Sequence, residues 1–132
     1  MPGDYISFQM INSRRTTDID LAAGDATKAG IVTPSTANHK LYIQLIVFVP
    51  STYSAKTLTF RDSAASPVPI GLISIPAAAP TTGGDVGFRL DFGPTGVALT
   101  TGKNLDIILS GAGAAGRIHV EAYEKLGQTI SA

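Results

Sequence analysis

The sequence predicts an all-β protein: an antiparallel two-sheet β-sandwich, jelly-roll-like, with about eight strands and an N-terminal arm. Three observations support this. Apolar residues recur with a period of two in several separate segments, as expected for half-buried strands. Clusters of glycine, proline, serine and threonine separate these segments about every ten residues. The chain has 132 residues, of which 44% are hydrophobic, which suits one domain with its own core. We divide it into an arm or extended segment, 1–37, and a sandwich, 38–132.

The N-terminal segment is the least patterned part of the chain. Residues 5–11 alternate in a way that allows a strand, with Phe8 and Met10 on one face and Tyr5 on the other. The stretch 13–37 is polar and only weakly periodic. It is either a long loop packed on the domain or an arm that reaches a neighbouring subunit, since loops longer than about 15 residues are uncommon without a role.

Seven segments of the sandwich region carry strand patterns, and one or two further strands are expected from the N-terminal part. In one of the seven, Phe88 and Leu90 face inward while Arg89 and Asp91 face outward. The predicted strands are Lys40–Val49, Lys56–Asp62, Val68–Ile75, Asp85–Phe92, Gly96–Leu99, Leu105–Ser110 and Arg117–Glu124.

Two of these strands carry apolar residues on both faces. In Lys40–Val49 the odd-numbered positions form the inner row, which leaves Tyr42, Ile46 and Phe48 facing outward. In Leu105–Ser110 the residue left outside is Ile108. A strand that is apolar on both sides has its outer face covered by another layer or another chain. This surplus of apolar surface predicts a homo-oligomer.

Charge and composition exclude several classes of function. The ten basic and ten acidic residues give zero net charge and form no basic stripe, which argues against nucleic-acid binding. The longest apolar run, Ile43 to Val49, is too short to span a membrane. The first 15 residues lack the pattern of a signal peptide. The absence of cysteine fits a protein that folds in a reducing cytoplasm.

No motif predicts catalysis, a cofactor or a metal. His39 and His119 have no ligand partner at a metal-binding spacing, and Asp18 and Asp20 lack the rest of a calcium loop. The Gly-x-Gly-x-x-Gly at 111–116 precedes a strand instead of a helix, so it does not predict a dinucleotide site. The carboxylate pairs Asp91 with Asp106 and Glu121 with Glu124 have no aromatic cleft beside them in the sequence. We therefore expect a protein that is not an enzyme.

From about residue 58 to residue 124 the chain resembles a small jelly-roll family of tailed-phage virion proteins, notably capsid decoration (cement) proteins. The first matching segment is Leu58-Thr-Phe-Arg-Asp62 followed by Ile70-Gly-Leu-Ile-Ser-Ile75. The most specific piece is the Pro-x-Gly at 94–96 followed by the glycine turn at 101–104. A glycine-alanine loop then leads into the last strand, 116–124.

The resemblance implies a structural protein that binds the outer surface of a phage capsid and stabilises the shell. It implies the major capsid protein as partner, a homo-oligomer with a trimer favoured, and a virion location after synthesis in the host cytoplasm. The alternative is a virion-surface adhesion module, such as a head fibre or tail protein, that binds a host glycan or receptor. The candidate residues for oligomer or capsid contact are Tyr5, Phe8, Met10, Arg14, Arg15, Tyr42, Ile46, Phe48 and Ile108.

Overall fold

A computed structural model describes residues 13–79 and 87–126 of the chain. Over these residues the protein is all-β, with nine strands in two antiparallel sheets, which confirms the predicted fold class. No helix in the described residues is long and apolar enough to cross a membrane. The strands are β1 (Ser13–Leu21), β2 (Thr27–Val32), β3 (His39–Thr52), β4 (Lys56–Asp62), β5 (Pro69–Ile75), β6 (Phe88–Asp91), β7 (Val97–Ala98), β8 (Leu105–Leu109) and β9 (Ala115–Leu126).

The strand order is that of a jelly roll. One sheet has the order β1-β9-β3-β6, and the two-residue β7 also pairs with β3. The other sheet has the order β2-β8-β4-β5. The chain crosses from one sheet to the other at most connections, which places β1 opposite β2 and β5 opposite β6 at the two sides of the sandwich.

The core lies between the two sheets and is built from the inward rows that the alternation predicts. Leu58 and Phe60 on β4 and Ile118 and Val120 on β9 are fully buried. Burying apolar surface on this scale is the main favourable term for a domain of this size. The buried hydrophobic residues are Leu21, Ile31, Val32, Leu41, Ile43, Ile46, Phe48, Leu58, Phe60, Ile73, Ile75, Leu99, Leu105, Ile107, Leu109, Ala114, Ile118, Val120 and Ala122.

The N-terminal region differs from the expected arm. Its residues 13–32 form β1 and β2, and each strand pairs within this chain, β1 with β9 and β2 with β8. The pattern of β1 is weak because it is an edge strand whose inner row begins with the polar Arg15 and Thr17 and reaches apolar residues only at Ile19 and Leu21. Residues 1–12, with the candidate contacts Tyr5, Phe8 and Met10, lie outside the described residues.

A β-bulge in β3 overturns the predicted orientation of its second half. Opposite β9, Ile43 pairs with Ala122 but Leu45 pairs with the next residue, Glu121, so Gln44 is an extra residue in β3. An extra residue exchanges the two faces of every later position. The prediction that Ile46 and Phe48 face outward is therefore wrong: both are 0% exposed in the core.

The outward positions of β3 after the bulge are the three that the uninterrupted alternation placed inside. Leu45 and Val47 are half-buried and Val49 is 49% exposed, all on the outer face. Of the seven predicted strands only Lys56–Asp62 matches the structure at both ends; β3 and β9 are longer than predicted, and β8 ends one residue earlier. Val68 precedes β5, β7 is shorter than Gly96–Leu99, and β6 begins at Phe88, with Asp85 and Val86 outside the described residues.

Candidate interaction surface

The outer face of the sheet β1-β9-β3-β6, which we call the charged face, carries charges on all four of these strands. On β3, between β9 and β6, lie Leu45, Val47 and Val49, which we call the apolar row. The register places Val47 between His119 on β9 and Arg89 on β6. The outward charged residues are Arg14, Asp18 and Asp20 on β1, Arg117, Glu121 and Lys125 on β9, Lys40 on β3 before the bulge, and Arg89 and Asp91 on β6.

Side-chain bridges tie the edge strand β1 to β9 across this face. The Arg14 guanidinium lies 3.1 Å from the Glu121 carboxylate, and Asp20 lies 3.3 Å from the Arg117 Nε. Both are exposed pairs that contribute modestly to stability. Together they fix where positive and negative charges stand beside the apolar row.

His119 bridges two carboxylates from different strands. Its Nδ1 lies 2.9 Å from Asp18 on β1 and its Nε2 lies 3.0 Å from Glu121 on its own strand. The hydrogen bond with Glu121, followed by that with Asp18, raises the pKa of His119 above its usual value, although partial burial opposes this. The same contact with His119 lowers the pKa of Glu121. Protonated His119 therefore joins β1 and β9.

Two tyrosines close one end of the charged face. Tyr42 on β3 faces outward as predicted, and its ring stacks on Tyr123 of β9 with centroids 4.9 Å apart. The Lys125 ammonium lies 4.6 Å from the Tyr42 ring centre, and the Tyr123 hydroxyl donates to the Thr95 carbonyl at 2.7 Å. Each ring thus covers one face of the other, and the Lys125 ammonium lies over the Tyr42 ring.

A shallow pocket of ≈ 220 Å³ lies on the charged face beside the bulge. Gln44 forms part of its wall because the bulge turns its side chain toward the loop after β6, where its Nε2 donates to the Pro94 carbonyl at 2.7 Å. Arg14, Asp91 and Glu121 supply charged groups around it. The lining is therefore rich in hydrogen-bonding groups, with Leu45 as its apolar floor.

The outer face of the other sheet, which we call the neutral face, has a different composition. Ile108 lies on it, half-buried and facing outward as the alternation predicts. One row across the four strands reads Thr27, Ile108, Thr59 and Leu72. The face therefore presents hydroxyl and apolar groups where the charged face presents ion pairs.

Two buried carboxylates at one end of the sandwich were not identified from the sequence. Glu124 is 1% exposed and accepts hydrogen bonds from the backbone N–H of Ser35 at 2.8 Å and from the Ser35 hydroxyl. Burial alone would raise the pKa of Glu124, but these bonds, the contact with His39 and the nearby charge of Arg15 lower it below the usual range. The alternation did contain the signal, since Glu124 shares the inward phase of Ile118.

Asp62 does the same for two other loops. It is 2% exposed and accepts from the Thr100 hydroxyl at 2.6 Å and from the backbone N–H groups of Ala64 and Val68, both at 3.2 Å. Burial would raise its pKa, and the hydrogen bonds, that of Thr100 foremost, lower it instead. Close by, Gly102 donates its N–H to the His39 carbonyl at 2.8 Å with φ of +76°, a backbone conformation that glycine adopts without strain.

The Ser35, His39 and Glu124 side chains meet, but their geometry is not that of a nucleophilic triad. The Ser35 hydroxyl donates directly to Glu124, and His39 approaches both with the same nitrogen, Nδ1, at 3.3 Å from each. A triad requires the imidazole to lie between the hydroxyl and the carboxylate through its two different nitrogens. This cluster holds the loop before β3 against β9.

The other acidic and basic candidates are dispersed. Glu121 and Glu124 face opposite sides of β9, and Asp91 and Asp106 lie on different sheets, so neither pair can act on one substrate. Within residues 13–79 and 87–126 no group of three or more His, Cys, Asp or Glu side chains is arranged to hold a metal ion. Arg15 points inward, where it donates to the Thr33 carbonyl at 2.9 Å, while Arg14 stays on the charged face.

No family model matches this chain, and no curated protein matches it. Among solved structures it is similar to a chain of Bacillus endospore appendages, which form a novel family of disulfide-linked pili. The identity is 13% over 88% of this chain and 89% of that chain, with a TM-score of 0.48. It is also similar to a chain of the virus-like particle of extra small virus from the giant freshwater prawn Macrobrachium rosenbergii. There the identity is 14% over 86% of this chain and 79% of that chain, with a TM-score of 0.35.

Both neighbours belong to structural assemblies, an appendage and a viral particle. At these TM-scores neither likeness carries an argument about the role of this chain. Neither is a decoration protein of a tailed phage, so that resemblance stays a prediction.

Proposed function

We propose that this chain is a non-catalytic structural protein of a virus particle that binds the outer surface of a phage capsid and stabilises the shell. The observation that carries the proposal is the apolar row of the charged face, Leu45, Val47 and Val49, enclosed by charges held in fixed positions. The partner is the major capsid protein, and the protein acts as a homo-oligomer, with a trimer favoured.

The composition of the charged face suits contact with another protein. Protein interfaces combine an apolar centre with a polar rim that fixes orientation. Val47 and Val49 supply the centre, while Arg117 and Glu121 on one side and Arg89 on the other supply the rim. The bridged charges form a pattern to which an oppositely charged surface can be complementary. Such complementarity contributes to binding specificity and to the association rate.

The sandwich also suits a bracing role. Its loops at one end are fastened by the buried carboxylates Asp62 and Glu124, each fully hydrogen-bonded. Networks of this kind rigidify a fold when every member is satisfied. A rigid sandwich transmits load between the capsid subunits that it contacts.

The test is co-sedimentation of the purified protein with expanded shells of the major capsid protein of the same virus. We expect the wild type to sediment with the shells and V49K to lose at least tenfold in affinity, because a charge would enter the apolar row. T16K is the matched control, since it adds the same charge on the same face outside that row. Equal binding by V49K and the wild type would remove the assignment of this face.

A second candidate, host adhesion, is favoured by the ≈ 220 Å³ pocket beside the bulge. Sugar hydroxyls are bound by amide and carboxylate groups such as Gln44, Asp91 and Glu121. Glycan-array binding that is lost in D91N, together with absence of shell binding, would favour adhesion over decoration. A wild type that binds shells and no glycan would exclude it.

A further inference from the structure

The two outer faces of the sandwich differ in charge more than in any other property. On the neutral face the charged side chains are Arg61 and Asp106, in one row at its end. Asp106 is engaged there, since it accepts the N–H of Gly30 at 2.8 Å. The remaining outward side chains on its regular strand positions are hydroxyl-bearing or apolar: Thr27, Thr57, Thr59, Leu72, Ser74 and Ile108.

The apolar members of this face are well exposed. Leu72 on the edge strand β5 is 54% exposed, and it continues the row formed by Thr59 and Ile108. Val68, in the loop that leads into β5, is 56% exposed at the rim. Leu72 and Val68 are two of the three large hydrophobic residues most exposed in the described chain, and the third is Val49. A face of this composition gains by leaving water.

We propose that the neutral face is the contact between copies of this chain, so that a second copy of the protein covers it. The inference rests on the proposed function in one respect, the homo-oligomer, and adds which surface forms it. It leaves the charged face free to meet the capsid.

The scarcity of charge on the neutral face determines which kind of surface can cover it. Desolvating an unpaired charge is costly, so the surface that covers Leu72, Thr59 and Ile108 must itself carry few charges. The neutral face of another copy meets this condition. The charged face does not, because it would bring Arg117, Asp20 and their neighbours against apolar and hydroxyl groups.

The size of the face sets the expected strength. Four strands about 4.8 Å apart and about six residues long at about 3.4 Å each give a flat footprint of roughly 20 by 20 Å. With the relief of the side chains and the rim at Val68, this approaches the lower end of the range for stable interfaces, about 600–800 Å² for each partner. A contact of this size is expected to dissociate on dilution, so the native mass should depend on protein concentration.

The experiment compares two substitutions that are matched in kind and in exposure. L72K and V49K each place a lysine at a half-exposed apolar strand position, Leu72 on the neutral face and Val49 on the charged face. The native mass is measured by light scattering over a concentration series, with circular dichroism to check that each variant is folded. Both side chains point to solvent, so neither lysine enters the core.

We expect the native mass of the wild type and of V49K to rise with concentration from the 13.6 kDa of one chain to a multiple of it, and L72K to associate at least tenfold more weakly. L72K that associates like the wild type, a wild type that is monomeric at every concentration, or a loss confined to V49K would each overturn the inference. Shell binding separates this result from the proposed function. If the wild type associates, L72K is monomeric and the wild type does not bind shells, the result would support the neutral face as the contact between copies. The same result would refute capsid decoration.

Discussion

The charged face and the neutral face both lie on antiparallel sheets of the same sandwich, but they differ in the number of charged side chains that face outward. The charged face has three outward charges on β1, three on β9, two on β6 and one, Lys40, on β3, and most of those on β1 and β9 are bridged between the two strands. The neutral face has two, Arg61 and Asp106. Inward, both sheets show the same apolar alternation. The core therefore specifies the jelly roll, and the two faces differ in their outer rows, which the core does not constrain.

The largest expected effect tests which residues of β3 face the core and which face outward, because the outward residues form the apolar row of the charged face. I46K should destabilise the fold by more than about 3 kcal/mol, because it places an unpaired ammonium in the core. V47K should change the free energy of unfolding by less than about 1 kcal/mol, because Val47 faces outward. Urea unfolding measures both. V47K more damaging than I46K would mean that the bulge at Gln44 is misplaced.

The next effect is a difference in salt dependence between shell binding through the charged face and self-association through the neutral face. Raising NaCl from 0.1 M to 1 M shortens the Debye length from about 10 Å to about 3 Å. Shell binding through the charged face should weaken on the order of tenfold, about 1.4 kcal/mol. Self-association through the neutral face should be unchanged or stronger. Co-sedimentation and light scattering in the same buffers test this, and parallel salt dependence of the two would erase the distinction.

A smaller effect is a pH dependence that belongs to the charged face alone. The pKa of His119 in the folded protein is raised above its ordinary value of 6.5 by Glu121 and Asp18. Its stabilising charge is therefore fully present below pH 6.5 and is lost as the pH rises through the raised pKa. The groups around it are Arg14 and Asp18 on β1, Arg117 and Glu121 on β9, and Arg89 on β6 beyond Val47.

The measurement is the free energy of unfolding, obtained from thermal melts between pH 6 and pH 9. The free energy of unfolding of the wild type should fall by up to about 1 kcal/mol more than that of H119Q across this interval, because glutamine does not titrate. T57S, on the neutral face, should show the same change of stability with pH as the wild type. An unchanged slope in H119Q would assign the pH dependence to another group.

The smallest effect is expected at the exposed bridge between Arg117 and Asp20. Their side chains are 64% and 76% exposed, so R117Q should cost about 0.5 kcal/mol or less. Urea unfolding against the wild type measures it, with D20N as the reciprocal variant. A loss above about 1 kcal/mol in either variant would show that the β1–β9 bridges carry more of the fold than their exposure implies.

The alternation predicted most of the sandwich because each inward row needs only its own strand to be recognised. Leu58 and Phe60 on β4, and Ile118 and Val120 on β9, lie inside as their period of two requires. Ile108 lies outside for the same reason. The resemblance to phage decoration proteins and the trimer remain predictions.

The failures of the sequence prediction share one cause, dependence on a partner strand. Ile46 and Phe48 were expected outside because nothing within β3 marks Gln44 as the extra residue. The bulge exists only in the register against β9. The sequence predicts an arm or loop where β1 and β2 lie, because edge strands need fewer apolar residues. Their partners on β9 and β8 lie about 70 to 110 positions away in the sequence.

The sequence alone therefore determined the fold class and the inward rows of β4, β8 and β9. Those properties are local, since each follows from neighbouring residues and the two-residue period of a strand. Only the tertiary structure decided which apolar residues of β3 reach the surface, that Glu124 and Asp62 are buried and bonded, and that the charges gather on one face. Each of these depends on register and on which strands meet, and both are set by contacts between residues far apart in the chain.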